Sequence, residues 1–318
     1  MYGASHLTRP DLTVTHAESR RSAGCNFQSV RRKVVVGVLI ILLLSFVAPS
    51  LTLAWGVANP VASKHLTEKT DARTEPAPRT THLDVEYAHR RNAWLLPGQA
   101  GKAAVILAPG WGANRSERLD IAEALQARGY TVLAIDFGYI SGGHYTGGTA
   151  EGNDFVSAIR WIGTRDPGLP VVLFGLSAGG HAAVLAATRA RVNAVVTEGA
   201  PVDEGNEMRV QGAQTIHVPR PLVFFAPLAF PLFSGYRPVD LRTRVARTYA
   251  VPTLVIQGAN DHTVPPWNGR TLSSLVHGTL WTLPHADHGQ GFILLGAEYI
   301  DRITQFIDRA VASKHRAP

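Results

Sequence analysis

The chain has 318 residues, 45% of them apolar and 17% charged, a composition that excludes a disordered polyelectrolyte. Its one cysteine, Cys25, excludes an intramolecular disulfide. The formal charge of +7 sits mostly at the front: residues 1–80 hold 10 Lys+Arg against 5 Asp+Glu (+5) and residues 81–318 hold 21 against 19 (+2), so the body is near neutral, shows no basic stripe with interleaved aromatics, and gives nucleic-acid binding no support.

Residues 1–33 form a basic tail that ends in Arg31-Arg32-Lys33. Ser22-Ala23-Gly24-Cys25 looks like a lipid-attachment box, but the apolar helix such a box should follow lies after it. Residues 34–57 carry no charge and are dense in Val, Ile and Leu. About 20 apolar residues cross a bilayer as a helix, so this stretch is long enough to span. Positive charge ahead of a span holds that end in the cytoplasm, which places the C-terminal part outside. Two readings stay open. One is an uncleaved signal anchor, with the protein a single-pass member of the cell membrane. The other is a signal peptide cleaved near Thr52-Leu53-Ala54 or Gly56-Val57-Ala58, giving a secreted protein. The charged region ahead of the span is long for a signal peptide, which favours the anchor.

Residues 58–80 read as a linker, with Pro60, Pro76 and Pro78 among charges and no apolar period. From Thr81 the chain alternates apolar β-like runs with helical stretches. The predicted strands are Leu83–Tyr87, Ala93–Leu96, Ala103–Ala108, Thr131–Asp136, Val171–Leu176, Val192–Thr197, Thr253–Gly258 and Thr279–Leu283. Between them lie helical segments at Ser116–Arg128, Gly152–Arg165, Gly180–Arg189, Asn268–His277 and Ala297–Ser313. Several runs are apolar at consecutive positions, as strands buried on both faces of a parallel sheet are. The alternation predicts an α/β fold over 81–318, a mostly parallel doubly wound sheet.

One stretch breaks the alternation. Residues 201–250 are too long for a tight connection, and Pro221 to Phe233 are too apolar for a solvated loop. The expectation is a short cap whose Phe224, Phe225 and Phe230 line a substrate pocket. Plain packing on the core and a lid touching lipid are the other readings.

The chemistry is carried by Gly175-Leu176-Ser177-Ala178-Gly179, a G-x-S-x-G motif between an apolar run and an Ala-rich helical run. Strand, sharp turn and helix expose the serine at a strained elbow, and side chains two positions either side of it would collide with neighbouring backbone.

With this motif the sequence resembles the α/β-hydrolase superfamily over roughly residues 81–313. Within it the chain is most similar to bacterial hydrolases of the serine-aminopeptidase and dienelactone-hydrolase-like branch. The superfamily orders its triad as Ser, acid, His. Asp261, in Gly258-Ala259-Asn260-Asp261-His262-Thr263-Val264-Pro265, matches the acid turn, and His288, in His285-Ala286-Asp287-His288-Gly289, follows the last strand. The resemblance implies acyl transfer: Ser177 attacks, His288 is the base, and Asp261 orients the imidazole and stabilises its cation. It also implies an oxyanion hole from the backbone N–H groups of Ala178 and Trp111. Members often have His-Gly ahead of the second donor, where this chain has Pro109-Gly110, so the bonding that supports that loop is open.

His262 and His285 are the rival histidines. His285-x-Asp287-His288 supplies too few ligands for a metal site, and no metal or cofactor is implied. Asp136 is expected to be structural, tying the loop after its strand. The implied function is a carboxylesterase acting on a small-molecule or lipidic acyl ester, held at the membrane by its N-terminal helix. A peptidase or acyltransferase with the same triad is the alternative enzyme. A binding protein on the same fold is the alternative from another class, disfavoured because all three positions hold competent residues.

Overall fold

In the computed structural model, residues 14–60, 83–89, 91–215 and 217–314 are described. Eight strands pair in one sheet: β1 (Leu83–Ala88), β2 (Arg91–Leu96), β3 (Ala104–Ala108), β4 (Thr131–Ile135), β5 (Val171–Leu176), β6 (Ala194–Glu198), β7 (Thr253–Gly258) and β8 (Thr279–Leu283). Their order is β1-β2-β4-β3-β5-β6-β7-β8. β1 and β2 enter antiparallel at one edge and the other six run parallel.

The consecutive apolar runs are explained by the two cores they feed. In β3, Ala104, Ile106 and Ala108 face one core, and Val105 and Leu107 face the other. Helices α3 (Thr149–Arg165), α4 (Ala178–Ala187) and α6 (Trp267–Leu275) bury residues in the first core, while α2 (Leu119–Ala127) and α7 (Ala297–Lys314) fill the second. A period-2 strand flanked by helices on both sides must be apolar at every position, as this one is. The register sets Ala108 beside Gly175, Leu176 beside Glu198 and Gly258 beside Leu283. The carboxyl ends of β3, β5, β6, β7 and β8 therefore open onto one edge, where open α/β sheets bind ligands.

The cap is more ordered than its sequence suggests. It holds a helix, α5 (Glu204–Thr215), which no apolar period announced, and short helical turns between Arg220 and Ser234. Within it the expected pocket residues part company. Phe230 is fully buried against Tyr145, ring centroids 6.5 Å apart, and is a core residue. Phe224 and Phe225 are exposed and stack edge to face on each other. The structure does not bring the three together as a pocket wall.

The N-terminal helix α1 runs Val14–Ala58 with Pro49 inside it. The chain divides into two compact units between Ala48 and Pro49. In the second unit Ser50, Leu53, Ala54 and Ala58 are buried. The Ser50 hydroxyl donates to the Leu222 carbonyl at 3.1 Å, and the Ala58 carbonyl accepts from Tyr145 N–H at 2.9 Å. This second compact unit thus begins at Pro49, where the sequence reading began the α/β domain at Thr81. The last turns of an apolar helix carry buried contacts that their uniform hydropathy conceals. From residue 61 to 80 the expected linker lies outside the described residues, as does the tail up to residue 13.

Acidic groups lie buried beneath the cap. Glu151 accepts from the Thr146 hydroxyl at 2.6 Å and from Gly148 N–H at 2.9 Å, and burial pushes its carboxyl up to about 7. Burial pushes Glu204 up to about 8. His181 is pushed down to about 4 by burial, so it is neutral and donates from Nδ1 to the Pro201 carbonyl at 3.0 Å.

Two outcomes are expected. Leu53→Ala should lower the unfolding free energy by about 2–5 kcal/mol, as core truncations do, measured by denaturant unfolding in detergent. A change within noise would mean that residues 49–58 are not part of the core. The raised carboxyls mean that the folded chain binds more protons than the unfolded one between the ordinary carboxylate range and about pH 8. Stability should therefore fall as pH rises through that window, by at most about 1.4 kcal/mol per pH unit for each group. Glu204→Gln should flatten the slope of thermal stability against pH; an unchanged slope would exclude Glu204 as a source.

Candidate active site

Ser177 occupies the turn between β5 and α4 with φ 53° and ψ −122°. A non-glycine residue in that conformation is strained and must be held by its surroundings. The holding contacts are specific. A Cβ on Gly175 would lie 2.2 Å from Gly179 backbone, and one on Gly179 would lie 2.4 Å from the Pro109 carbonyl oxygen. Only glycine fits at either place. Ser177 N–H donates to the Glu198 carbonyl at 2.8 Å, which ties the elbow to β6. Glu198 is itself buried, its carboxylate accepting from Gly291 N–H and the Tyr299 hydroxyl, each at 2.8 Å.

Asp261 follows β7 and is buried. Its Oδ1 accepts from Thr263 N–H at 3.0 Å and Val264 N–H at 2.7 Å. Its Oδ2 accepts from Gln257 Nε2 at 3.1 Å and lies 2.9 Å from His288 Nδ1. A carboxylate held from four directions cannot swing away, so it fixes the ring and leaves Nε2 as the free basic nitrogen. The His288 turn is fastened in turn: His288 N–H donates to Asp287 Oδ1 at 2.7 Å, and the Arg118 guanidinium donates to the Gly289 carbonyl at 2.7 Å. Gly199 passes so close that a Cβ there would lie 2.9 Å from the His288 ring. Among the described residues no hydrogen bond joins the Ser177 hydroxyl to His288. In free enzymes such contacts often close only with substrate bound.

The rival histidines fall outside this arrangement. His262 is mostly exposed and sits 3.3 Å from Asp287 Oδ2. His285 is exposed, on a backbone with φ 65°. Among the described residues no group of His, Cys, Asp and Glu is arranged to hold a metal ion.

The loop after β3 is supported by Glu117 and Tyr139, which sequence reasoning missed as supports, and by Asp136, which was expected to tie the loop after its own strand and instead holds this one. Glu117 accepts from Gly110 N–H at 2.7 Å, and the Tyr139 hydroxyl donates to the Gly110 carbonyl at 3.0 Å. Asp136 accepts from Arg115 N–H at 2.7 Å and pairs with its guanidinium. These carboxylates fasten the loop where members of the superfamily often carry a histidine. Among the described residues neither Trp111 N–H nor Ala178 N–H has a hydrogen-bond partner. The Trp111 side chain points elsewhere, its indole N–H donating to the Val57 carbonyl at 3.0 Å. Glu207, on α5, is also buried, and burial, reinforced by the nearby Asp261 charge, pushes it up to about 7. No motif marked Glu117 or Glu207; each is an acid inside a helical or loop stretch that reads as solvated.

Comparison with known proteins agrees with this architecture. A family model described as the alpha/beta hydrolase family matches residues 105–302. An uncharacterised protein of Mycobacterium tuberculosis is 28% identical over 241 residues, covering 73% of this chain and 80% of its own length. Among solved structures, an esterase of Pyrococcus furiosus superposes with a TM-score of 0.61 at 21% identity, covering 72% of this chain and 91% of its own. A bacterial membrane phospholipase A gives 0.53 at 17% identity and covers 89% of this chain and 99% of its own. Esterase 2 of Thermogutta terrifontis gives 0.56 at 18%, covering 73% and 94%. With the matched region running from β3 through β8 and including the elbow and both loops that carry Asp261 and His288, the chain belongs to the alpha/beta hydrolase family.

Proposed function

We propose that this chain is a serine hydrolase that cleaves acyl esters through an acyl-enzyme intermediate. The observation that carries the reading is a strained, glycine-clasped Ser177 on the same sheet edge as a His288 whose Nδ1 lies 2.9 Å from the buried Asp261 carboxylate. In this reading His288 Nε2 takes the Ser177 proton as Oγ attacks the ester carbonyl. Asp261 stabilises the imidazolium, which then protonates the leaving alcohol. Water attacks the acyl-enzyme by the reverse sequence and releases the acid. The developing oxyanion is met by the N–H groups of Ala178 and Trp111. Their lack of partners, and the carboxylate bonds that hold the Gly110 loop, support that role. The esterase and phospholipase named above share the fold, which makes ester cleavage the reading with the most support. The resemblance to the serine-aminopeptidase and dienelactone-hydrolase-like branch adds the shared triad and leaves the acyl group unspecified.

We also infer that α1 is an uncleaved anchor with the catalytic unit on the extracytoplasmic side. Residues 29–58 form a helix long and apolar enough to cross a membrane. Cleavage at either candidate site would remove buried residues from the catalytic unit: Ser50, Leu53 and Ala54 at one, and Ala58 as well at the other.

Ser177→Ala should abolish fluorophosphonate labelling and reduce ester turnover by several orders of magnitude, since no other group can form the acyl-enzyme. Normal labelling of that variant would overturn the nucleophile assignment. Trp111→Phe should keep kcat, because its backbone N–H remains. Trp111→Pro, which has none, should lose ~100–1000-fold in kcat. Circular dichroism checks that the variant is folded; a folded Trp111→Pro enzyme with near-normal kcat would move the second donor elsewhere in the loop.

A further inference from the structure

The cap segment from Arg220 to Ser234 has two apolar faces. Val223, Ala226, Phe230 and Ser234 are buried, at helical spacing. Offset from them, Phe224, Phe225, Leu228 and Leu232 stand 54%, 43%, 65% and 75% exposed. A helical surface segment of a globular protein normally turns polar side chains outward. A contiguous exposed apolar patch marks a contact surface. No acid occurs between Gln214 and Asp240, and Arg220 and Arg237 flank the patch. Arg209 donates to the Phe224 carbonyl at 3.1 Å and lies over its ring at 5.1 Å. Aromatic rings with arginines at their edge suit the boundary between acyl chains and anionic headgroups.

The position of this patch along the chain says what covers it. The first residue after Arg31-Arg32-Lys33 is Val34. A span of about 20 residues counted from there ends near Leu53, inside the first turns of the catalytic unit. At that level Ser50 donates to the Leu222 carbonyl, and a Cβ on Gly212 of α5 would run into the Leu53 side chain. The cap is therefore fastened to the helix at the depth where the bilayer ends. Four residues further along, the Val57 carbonyl holds the Trp111 indole beside the candidate oxyanion loop.

We propose that Phe224, Phe225, Leu228 and Leu232 insert into the leaflet in which α1 ends, and that the substrate is a long-chain acyl ester taken from that leaflet. The first half rests on the anchor reading of α1 above and the second on the ester-hydrolase reading. The surface matches a membrane better than a protein partner because the same chain delivers it to the bilayer edge and because its rim is cationic.

The test uses the full chain with Cys25→Ser, reconstituted in vesicles of phosphatidylcholine and phosphatidylglycerol. A bimane label at Leu232→Cys should shift to the blue and be quenched by spin-labelled lipid. A label at Ala100→Cys, exposed at the other end of the sheet, should not be. An unquenched Leu232 label overturns the proposal. A blue shift without lipid quenching also overturns it, because the face is then covered by another copy of the chain. Leu228→Asp with Leu232→Asp should cut turnover of a vesicle-embedded long-chain ester at least tenfold and leave turnover of a soluble short-chain ester unchanged. Equal losses on both, or none on either, would remove the bilayer from the route of the substrate. If Ser177→Ala retains turnover, the hydrolase reading fails and the quenching result still decides the surface.

Discussion

Everything at the candidate site hangs on one close approach, the backbone of Gly179 against the carbonyl of Pro109. A Cβ there would come within 2.4 Å of that oxygen. The contact brings the first turn of α4 against the loop after β3, so the two candidate oxyanion donors, which lie far apart in sequence, come from segments locked together. It also makes the unfavourable backbone of Ser177 tolerable. The turn is clamped by Gly175 below, by Gly179 above, and by the bond from Ser177 N–H to Glu198 on the neighbouring strand. Local strain persists only where its surroundings over-determine it, and here the surroundings are the parallel sheet itself.

The second layer of the site is built from buried carboxylates with distinct tasks. Asp261 accepts from two backbone N–H groups and Gln257 while facing His288. Glu117, Asp136 and Glu198 each fasten a loop or a strand end by accepting from backbone N–H groups. Oxygens spent in this way hold geometry, because a buried acceptor that loses its donor costs about 1–3 kcal/mol. Glu204 and Glu207 differ: each has one oxygen lacking a partner, and burial pushes Glu204 up to about 8 and Glu207 up to about 7. Both lie on α5, so the cap carries groups that titrate near neutral pH.

The end of α1 links the membrane question to the catalytic one. Residues 49–58 belong to the compact catalytic unit, and the indole of Trp111 reaches the Val57 carbonyl while its backbone stays free beside the candidate site. In the proposed mechanism the residue whose side chain binds the helix end also offers its backbone N–H to the oxyanion.

By itself the sequence determined the sheet and the identity of the candidate triad. Fully buried strands must be apolar at successive positions, an elbow serine needs small neighbours, and strand-loop order places Asp261 and His288 at strand ends; all three are local constraints written in adjacent residues. All eight strands and five of the longer helices were legible for that reason. The tertiary structure alone decided the rest. It buried Phe230 and turned Phe224 and Phe225 outward, since three phenylalanines in an apolar run carry no mark of which face is inside. It put Glu117 and Tyr139 under the Gly110 loop, the second across 29 residues of chain, contacts that no spacing encodes. It also moved the start of the catalytic unit to Pro49. An apolar helix reads the same whether its next turn meets lipid or protein, and long-range contacts such as those of Ser50 and Leu53, across about 160 to 170 residues of chain, distinguish them.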